Sequence, residues 1–242
     1  MNLSDLDRAD DQAAAAAAAA GTFDADGGGA GVRTEAFGQG YDPGPVDRLG
    51  VWLSARRVRH HVARLADDEG RIRRLALGDV GCGYQATIAR SLLESGEVAH
   101  AVLADVDIAP DLQAHPQVTA LAGALPGVLD QVPDRSLDVV LCLSVLEHLW
   151  DPETTLRHLH RITRPGGVVL VNVPSWRGKR FLELSAFRLG TSPRGEMDDH
   201  KAYYDPRDLW PLLVRAGFLP SGISCTRHKL GLNTFAACTV PR

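Results

Sequence analysis

The stretch Leu75-Ala76-Leu77-Gly78-Asp79-Val80-Gly81-Cys82-Gly83-Tyr84-Gln85-Ala86 admits few folds. A short apolar run ends in a carboxylate, and two glycines separated by one residue come next. A chain that leaves a buried strand and turns at once into a helix must visit dihedral angles that a Cβ atom penalises, so glycine is needed there. Bare backbone also lets a ligand lie against the turn, near the partly positive start of the helix. The pattern predicts strand, turn and helix, with a ligand cradle at their junction. Glycine-x-glycine by itself marks many ordinary turns, so its weight depends on the segments downstream.

Ala86 to Glu94 suits a helix that Ser95-Gly96 ends, and Ala101 to Asp107 reads as a second apolar strand. Val118 to Ala122 is a third. Leu137 to Leu143 is a fourth, almost continuous in apolar residues, as expected of a strand covered on both faces. Asp151-Pro152-Glu153 opens a helix with a capping residue, proline at its first position and early negative charge. Leu156, Leu159 and Ile162 form its buried side, and Arg164-Pro165-Gly166-Gly167 stops it before a fifth strand, Val168 to Val173. Asp205-Pro206-Arg207-Asp208 opens another capped helix with Leu209, Leu212, Leu213 and Ala216 inward and Gly217 at its end. Ser221 to Val240 reads as two strands around Lys229-Leu230-Gly231. This alternation predicts an α/β fold, a Rossmann-like, doubly wound and mostly parallel seven-stranded sheet that closes with an antiparallel hairpin. In such sheets ligands bind beyond the carboxyl ends of the strands, where strand order reverses.

Ahead of the first strand, residues 1–40 read as a disordered tail, with an alanine run from Ala13 to Ala20 and the triplet Gly27-Gly28-Gly29. Order is expected from Tyr41, and 41–242 forms one domain. Within it, residues 41–70 hold an N-terminal helix that Asp47 can cap. Val51, Ala55, Val58, Val62 and Leu65 make its apolar stripe, with Arg56, Arg57, Arg59 and Arg64 on the other side. Residues 175–204 are expected to build a substrate lid. Its Trp176, Arg177, Lys179, Arg180, Phe181, Phe187, Arg188 and Arg194 suit an acceptor with an acidic or phosphorylated part, or equally a solvated amphipathic helix.

Charge and cysteine usage narrow the partners. A net charge of −4 argues against a dedicated nucleic-acid binder. Cys82, Cys142, Cys225 and Cys238 lie far apart, without C-x-x-C or zinc-like histidine spacing, so they are expected to be free thiols and no metal site is predicted. No apolar run approaches the roughly 18 residues of a membrane span, and Asp5, Asp7, Asp10 and Asp11 are opposite in sign to a secretory leader. The expectation is a cytoplasmic protein.

Asp107 comes after an apolar strand some two dozen residues past the glycine turn, where a carboxylate can accept two hydrogen bonds from a ribose. Asp79 faces the turn and can attract a cationic amino group. Asp79-Val80-Gly81-Cys82-Gly83, Val106-Asp107-Ile108-Ala109-Pro110, Pro133-Asp134-Arg135-Ser136-Leu137-Asp138-Val139-Val140, Val145-Leu146-Glu147-His148 and Arg164-Pro165-Gly166-Gly167 occur in that order. Together they resemble the successive motifs of class I S-adenosylmethionine-dependent methyltransferases acting on small molecules. Asp199-His200-Lys201-Ala202-Tyr203-Tyr204-Asp205-Pro206 and Arg215-Ala216-Gly217-Phe218 add to the likeness.

The resemblance implies S-adenosyl-L-methionine as cofactor. Gly81, Cys82 and Gly83 would then pass close to its methionine part, Asp79 would serve its amino group, Asp107 would hold the ribose and Ile108 would pack on adenine. Leu143 and Ser144 would lie under the methionine part and border the substrate. Two positions depart from the family pattern. Gln85 stands where a third glycine is usual, and Gly123-Ala124-Leu125 replaces an acid that often receives the adenine amino group, so Ala124 and Leu125 offer only backbone. One such hydrogen bond is worth roughly 0.5–1.5 kcal/mol, which weakens the cofactor about tenfold at most.

Methyl transfer needs orientation, desolvation and, for some acceptors, a base that titrates near neutrality. His148 and His200 are the candidates for that base, each with an alternative role in bracing its loop. A nicotinamide dehydrogenase shares the Gly81-x-Gly83-x-x-Ala86 pattern, but Val-Leu-Glu-His has no role there. Nucleic-acid amino-methyltransferases usually carry an Asn/Asp-Pro-Pro-aromatic motif where Cys142-Leu143-Ser144-Val145 stands. The expected function is methyl transfer to an O, N or C atom of a small molecule. The alternative is a degenerate relative that binds without turnover.

Overall fold

The computed structural model describes residues 36–40, 44–67, 75–180 and 200–242. Seven strands form one sheet: β1 (Leu75–Val80), β2 (Val98–Asp105), β3 (Val118–Ala122), β4 (Leu137–Leu143), β5 (Thr163–Pro174), β6 (Ile223–His228) and β7 (Asn233–Thr239). Their order across the sheet is β3-β2-β1-β4-β5-β7-β6. The first five are parallel, and β7 inserts antiparallel between β5 and β6. Strand order reverses between β1 and β4, the expected crevice for a ligand. The predicted fold class is the observed one.

Helices with both ends among the described residues are α1 (Pro45–Asp67), α2 (Thr87–Glu94), α3 (Pro110–Gln113), α4 (Pro152–Ile162) and α5 (Pro206–Arg215). Period-two alternation along β4 divides the core. Val140 and Cys142 join Leu156 and Leu159 of α4 and Leu209 and Leu213 of α5, whereas Val139 and Leu141 join Val58 and Val62 of α1 and Ala89 and Leu92 of α2. Burial on both faces is why the strand is apolar from Val139 to Leu143, and its one polar residue, the buried Asp138, is satisfied by accepting from Ala76 N–H at 2.6 Å.

Local signals set the helix ends. Asp151 accepts from Thr154 N–H at 3.0 Å, and Asp205 forms a reciprocal capping box with Asp208. Asp47 does not sit at the cap of α1. It lies inside the first turn and accepts from Gly44 N–H at 3.1 Å, because Pro45 already occupies the first helical position. Of the arginines of α1, Arg56 and Arg64 are exposed, whereas two others are engaged. Arg57 donates to Thr226 Oγ1 at 2.7 Å and lies over the Phe235 ring, and Arg59 pairs with Glu97 at 3.0 Å. The second strand begins at Val98 and ends at Asp105, so Asp107 stands two residues beyond it rather than at its end. Among the described residues no helix is long and apolar enough to cross a membrane.

Candidate active site

The carboxyl ends of β1, β2 and β4 converge at the order reversal. Gly81 and Gly83 both have φ of +71°, as the turn requires. Gly81 N–H donates to Ala104 O at 2.7 Å and Gly83 N–H donates to Asp105 Oδ2 at 2.7 Å, so the turn is pinned to β2. A Cβ on Gly81 would overlap the Val145 side chain, and one on Gly83 would come 3.1 Å from Phe37 O. Bare backbone therefore admits protein neighbours here. Cys82 is half-buried between the glycines, and burial together with the charges of Asp79 and Asp105 pushes its thiol far above the ordinary range. It is a neutral lining group and no nucleophile.

Asp79, 4% exposed, closes the floor of the turn. Burial, then the charge of Asp105, raises its carboxyl to about 7, against a smaller pull from Ala89 N–H. Asp107 is half-buried at the rim. Its Oδ1 accepts from Ile108 N–H at 2.8 Å and its Oδ2 from the Gln39 side-chain amide at 2.7 Å. Ile108 is fully enclosed in the core, so its side chain offers no exposed face to adenine. Ala124 is exposed just after β3, and Leu125 packs partly against the core.

Gln39 belongs to residues 36–40, a stretch assigned to the tail on sequence. It is packed on the site: Phe37 O accepts from Tyr84 N–H at 2.9 Å, and Ala36 is buried. Tyr41, Phe181, Phe187, Arg188 and Arg194 lie outside the described residues.

Leu143, the last residue of β4, is half-buried and Ser144 just beyond it is exposed. Ser144 has φ of +60°, an uncommon conformation for a residue with a Cβ, and donates its N–H to Asn172 O at 2.7 Å. A short 3₁₀ turn, Leu146–His148, then carries Glu147 inward and His148 to half-exposure. His148 and His200 come together edge to face, with ring centroids 4.8 Å apart, although 52 residues separate them in sequence. Lys201 N–H donates to Glu147 O at 2.7 Å, which fastens the segment ahead of α5 to this turn. Tyr203 Oη lies 3.3 Å from His200 Nδ1, and Trp176 and Lys179 stack near the Tyr203 ring.

Three participants escape sequence reasoning. Asp105 holds the glycine turn, and its signal was the strand alternation that a boundary two residues too late obscured. Gln39 lies in a stretch with no periodicity. Lys229 arrives from the hairpin tip, where burial makes its ammonium easier to deprotonate and the charges of Glu147 and Asp47 oppose that loss. No local pattern announces that approach.

Comparison with known proteins identifies the family. A family described as a methyltransferase domain matches residues 52–219. A ubiquinone biosynthesis O-methyltransferase from Aeromonas salmonicida is 32% identical over 108 residues, covering 43% of this chain and 44% of that protein. Its counterpart from Pseudomonas entomophila is 30% identical over 144 residues, covering 54% and 59%. The chain thus spans about half the length of the curated relatives it matches. Among solved structures, a magnesium protoporphyrin IX methyltransferase from Synechocystis with bound SAH superposes with a TM-score of 0.55 at 17% identity, covering 83% of this chain and 89% of that one. That likeness shows the fold.

Proposed function

The chain belongs to the class I S-adenosylmethionine-dependent methyltransferases, and we propose that it moves a methyl group from S-adenosyl-L-methionine to a hydroxyl oxygen of a small acceptor carrying an anionic part. One observation carries the reading: the His148–His200 pair adjoins, through Val145, the glycine turn that would receive the methionine part. O-methyltransferase relatives and a paired imidazole both favour an acceptor that loses a proton. Lys179 near Tyr203, Lys201 beside His200 and Lys229 within reach of the Glu147 charge favour an anionic one.

The residues fit the cofactor. Asp107 presents a carboxylate at the rim of β2 to the ribose hydroxyls. Asp79, buried and with its carboxyl raised to about 7, is only half ionised at pH 7 and can take up full charge when an ammonium arrives, so the cost of keeping an isolated buried anion in its absence is reduced. Ala124 supplies backbone to the adenine edge. Bound there, S-adenosylmethionine would supply a methyl group already activated on sulfonium. The protein orients the acceptor against Ser144, excludes water with Tyr203 and Trp176, and receives the acceptor's proton at the histidine pair.

The test is transfer of labelled methyl from S-adenosylmethionine to a panel of hydroxylated acids, alongside calorimetry with S-adenosylhomocysteine. Binding with transfer to oxygen is expected. Binding without transfer to any panel member, from a chain that titrates stoichiometrically, points to the degenerate binder instead.

A further inference from the structure

Glu147, His148 and His200 each offer one ligand atom, and these atoms lie within 4.8 Å of one another. We propose that these three side chains form a divalent transition-metal site which binds the acceptor's oxygen; this rests on the methyl-transfer reading and replaces the histidine pair's part as proton acceptor by that of metal ligand, the proton leaving to water. Two imidazoles and one carboxylate are a donor set that zinc and its first-row neighbours accept, with positions left over for a further oxygen.

The geometry is close to what coordination needs. Ligands about 2.1 Å from a tetrahedral ion lie about 3.4 Å from each other, so the present spacing closes by side-chain rotation of roughly 1–1.5 Å. Glu147 is 1% exposed, and its turn is held by Lys201 N–H at 2.7 Å, so the carboxylate is positioned by backbone. Tyr203 Oη, 3.3 Å from His200 Nδ1, is a hydrogen bond of the kind that orients a ligating ring. Lys229 senses the Glu147 charge from the hairpin tip and is the group an ion would work against. The site draws on the turn after β4 and the segment before α5, a juxtaposition that no sequence spacing announces.

The chemistry balances without an oxidant or reductant. The acceptor's O–H proton passes to water as a metal–oxygen bond forms. A lone pair of that oxygen then makes the new O–C bond to the methyl carbon. The C–S bond breaks with its electrons staying on sulfur, leaving a neutral thioether. A metal ion that polarises the hydroxyl removes the need for either imidazole to act as a free base.

Cobalt(II) is the probe, titrated into the full chain and followed by its visible absorption. One equivalent is expected to bind with a d–d band. His148→Ala and His200→Ala should each weaken it at least about tenfold, whereas His60→Ala, on the exposed face of α1, should leave it unchanged. Glu147→Gln can upset folding, so the decisive variant is His200→Ala, which lies at a half-exposed position. No stoichiometric cobalt in the parent, or an unaltered band in both histidine variants, overturns the proposal. S-adenosylhomocysteine calorimetry on the same samples separates the two ideas. A chain that binds the nucleoside and no cobalt loses only the metal, and one that binds cobalt and no nucleoside loses the methyl-transfer reading.

Discussion

Two carboxylates would meet the cofactor at opposite ends, and they differ in what burial does to them. Asp107 sits at the rim with both oxygens already accepting, so its work is geometric. Asp107→Ala removes charge-assisted hydrogen bonds worth about 1.5–3 kcal/mol, and S-adenosylhomocysteine should bind about 10- to 100-fold more weakly by calorimetry. Asp79 is different, because its carboxyl is raised from 3.8 to about 7 by burial and by Asp105. Below that value it is neutral and cannot attract the ammonium of the methionine part. Cofactor affinity should therefore rise with pH up to about 7 and level off above it, and Asp79→Asn should flatten the profile. Stability runs the other way. A raised acid favours the folded state at low pH and loses that contribution as pH climbs from about 4 to about 7, so Asp79→Asn should raise the melting temperature at pH 8 and not at pH 4.

At the scale of elements, the glycine turn and the loop after β4 are built as a pair. Val145 occupies the space a Cβ on Gly81 would fill, and His148 N–H donates to Val145 O at 2.9 Å, so the turn that carries the histidine is braced against the glycines. Gly81→Ala should strain a φ of +71° and expel Val145, with a loss of cofactor binding and a drop in melting temperature. Val145→Ala in the same chain should restore part of both, since it reopens the overlapped space. If the double variant is no better than Gly81→Ala alone, backbone strain dominates and packing does not. The same pair shows what sequence could convey. Strand β4 and the helix caps at Asp151 and Asp205 were legible because each arises from local periodicity or one local hydrogen bond. That Gly81 answers to Val145, and His148 to His200, was not. Those contacts depend on sheet order and on the angle at which a loop leaves its strand. Asp107 was legible as an acid near a strand end, yet its distance past β2 was hidden because Val106 prolongs the apolar run.

Across the whole molecule, residues 36–40 pack on the site and the hairpin holds α1. Arg57 reaches Thr226 on β6 and covers Phe235 on β7, which fixes α1 over the sheet. Residues 36–40 reach the nucleotide end, where Phe37 O accepts from Tyr84 N–H and the Gln39 amide donates to Asp107 Oδ2. A ribose held by Asp107 would want the same oxygen, so ligand and glutamine would compete for one acceptor. A site that must release an internal partner binds with an affinity reduced by the fraction of time it is released. One hydrogen bond to a charged group is worth about 1.5–3 kcal/mol in principle, but Gln39 trades it for water, so the net gain on its removal should be nearer 0.5–1.5 kcal/mol. Gln39→Ala is therefore expected to tighten S-adenosylhomocysteine about two- to tenfold. In an Asp107→Ala background the same change should do nothing, because the contested oxygen is gone. Calorimetry on the four proteins of that cycle measures the coupling directly. A Gln39→Ala variant that binds more weakly than the parent would mean that the amide helps to hold the ribose.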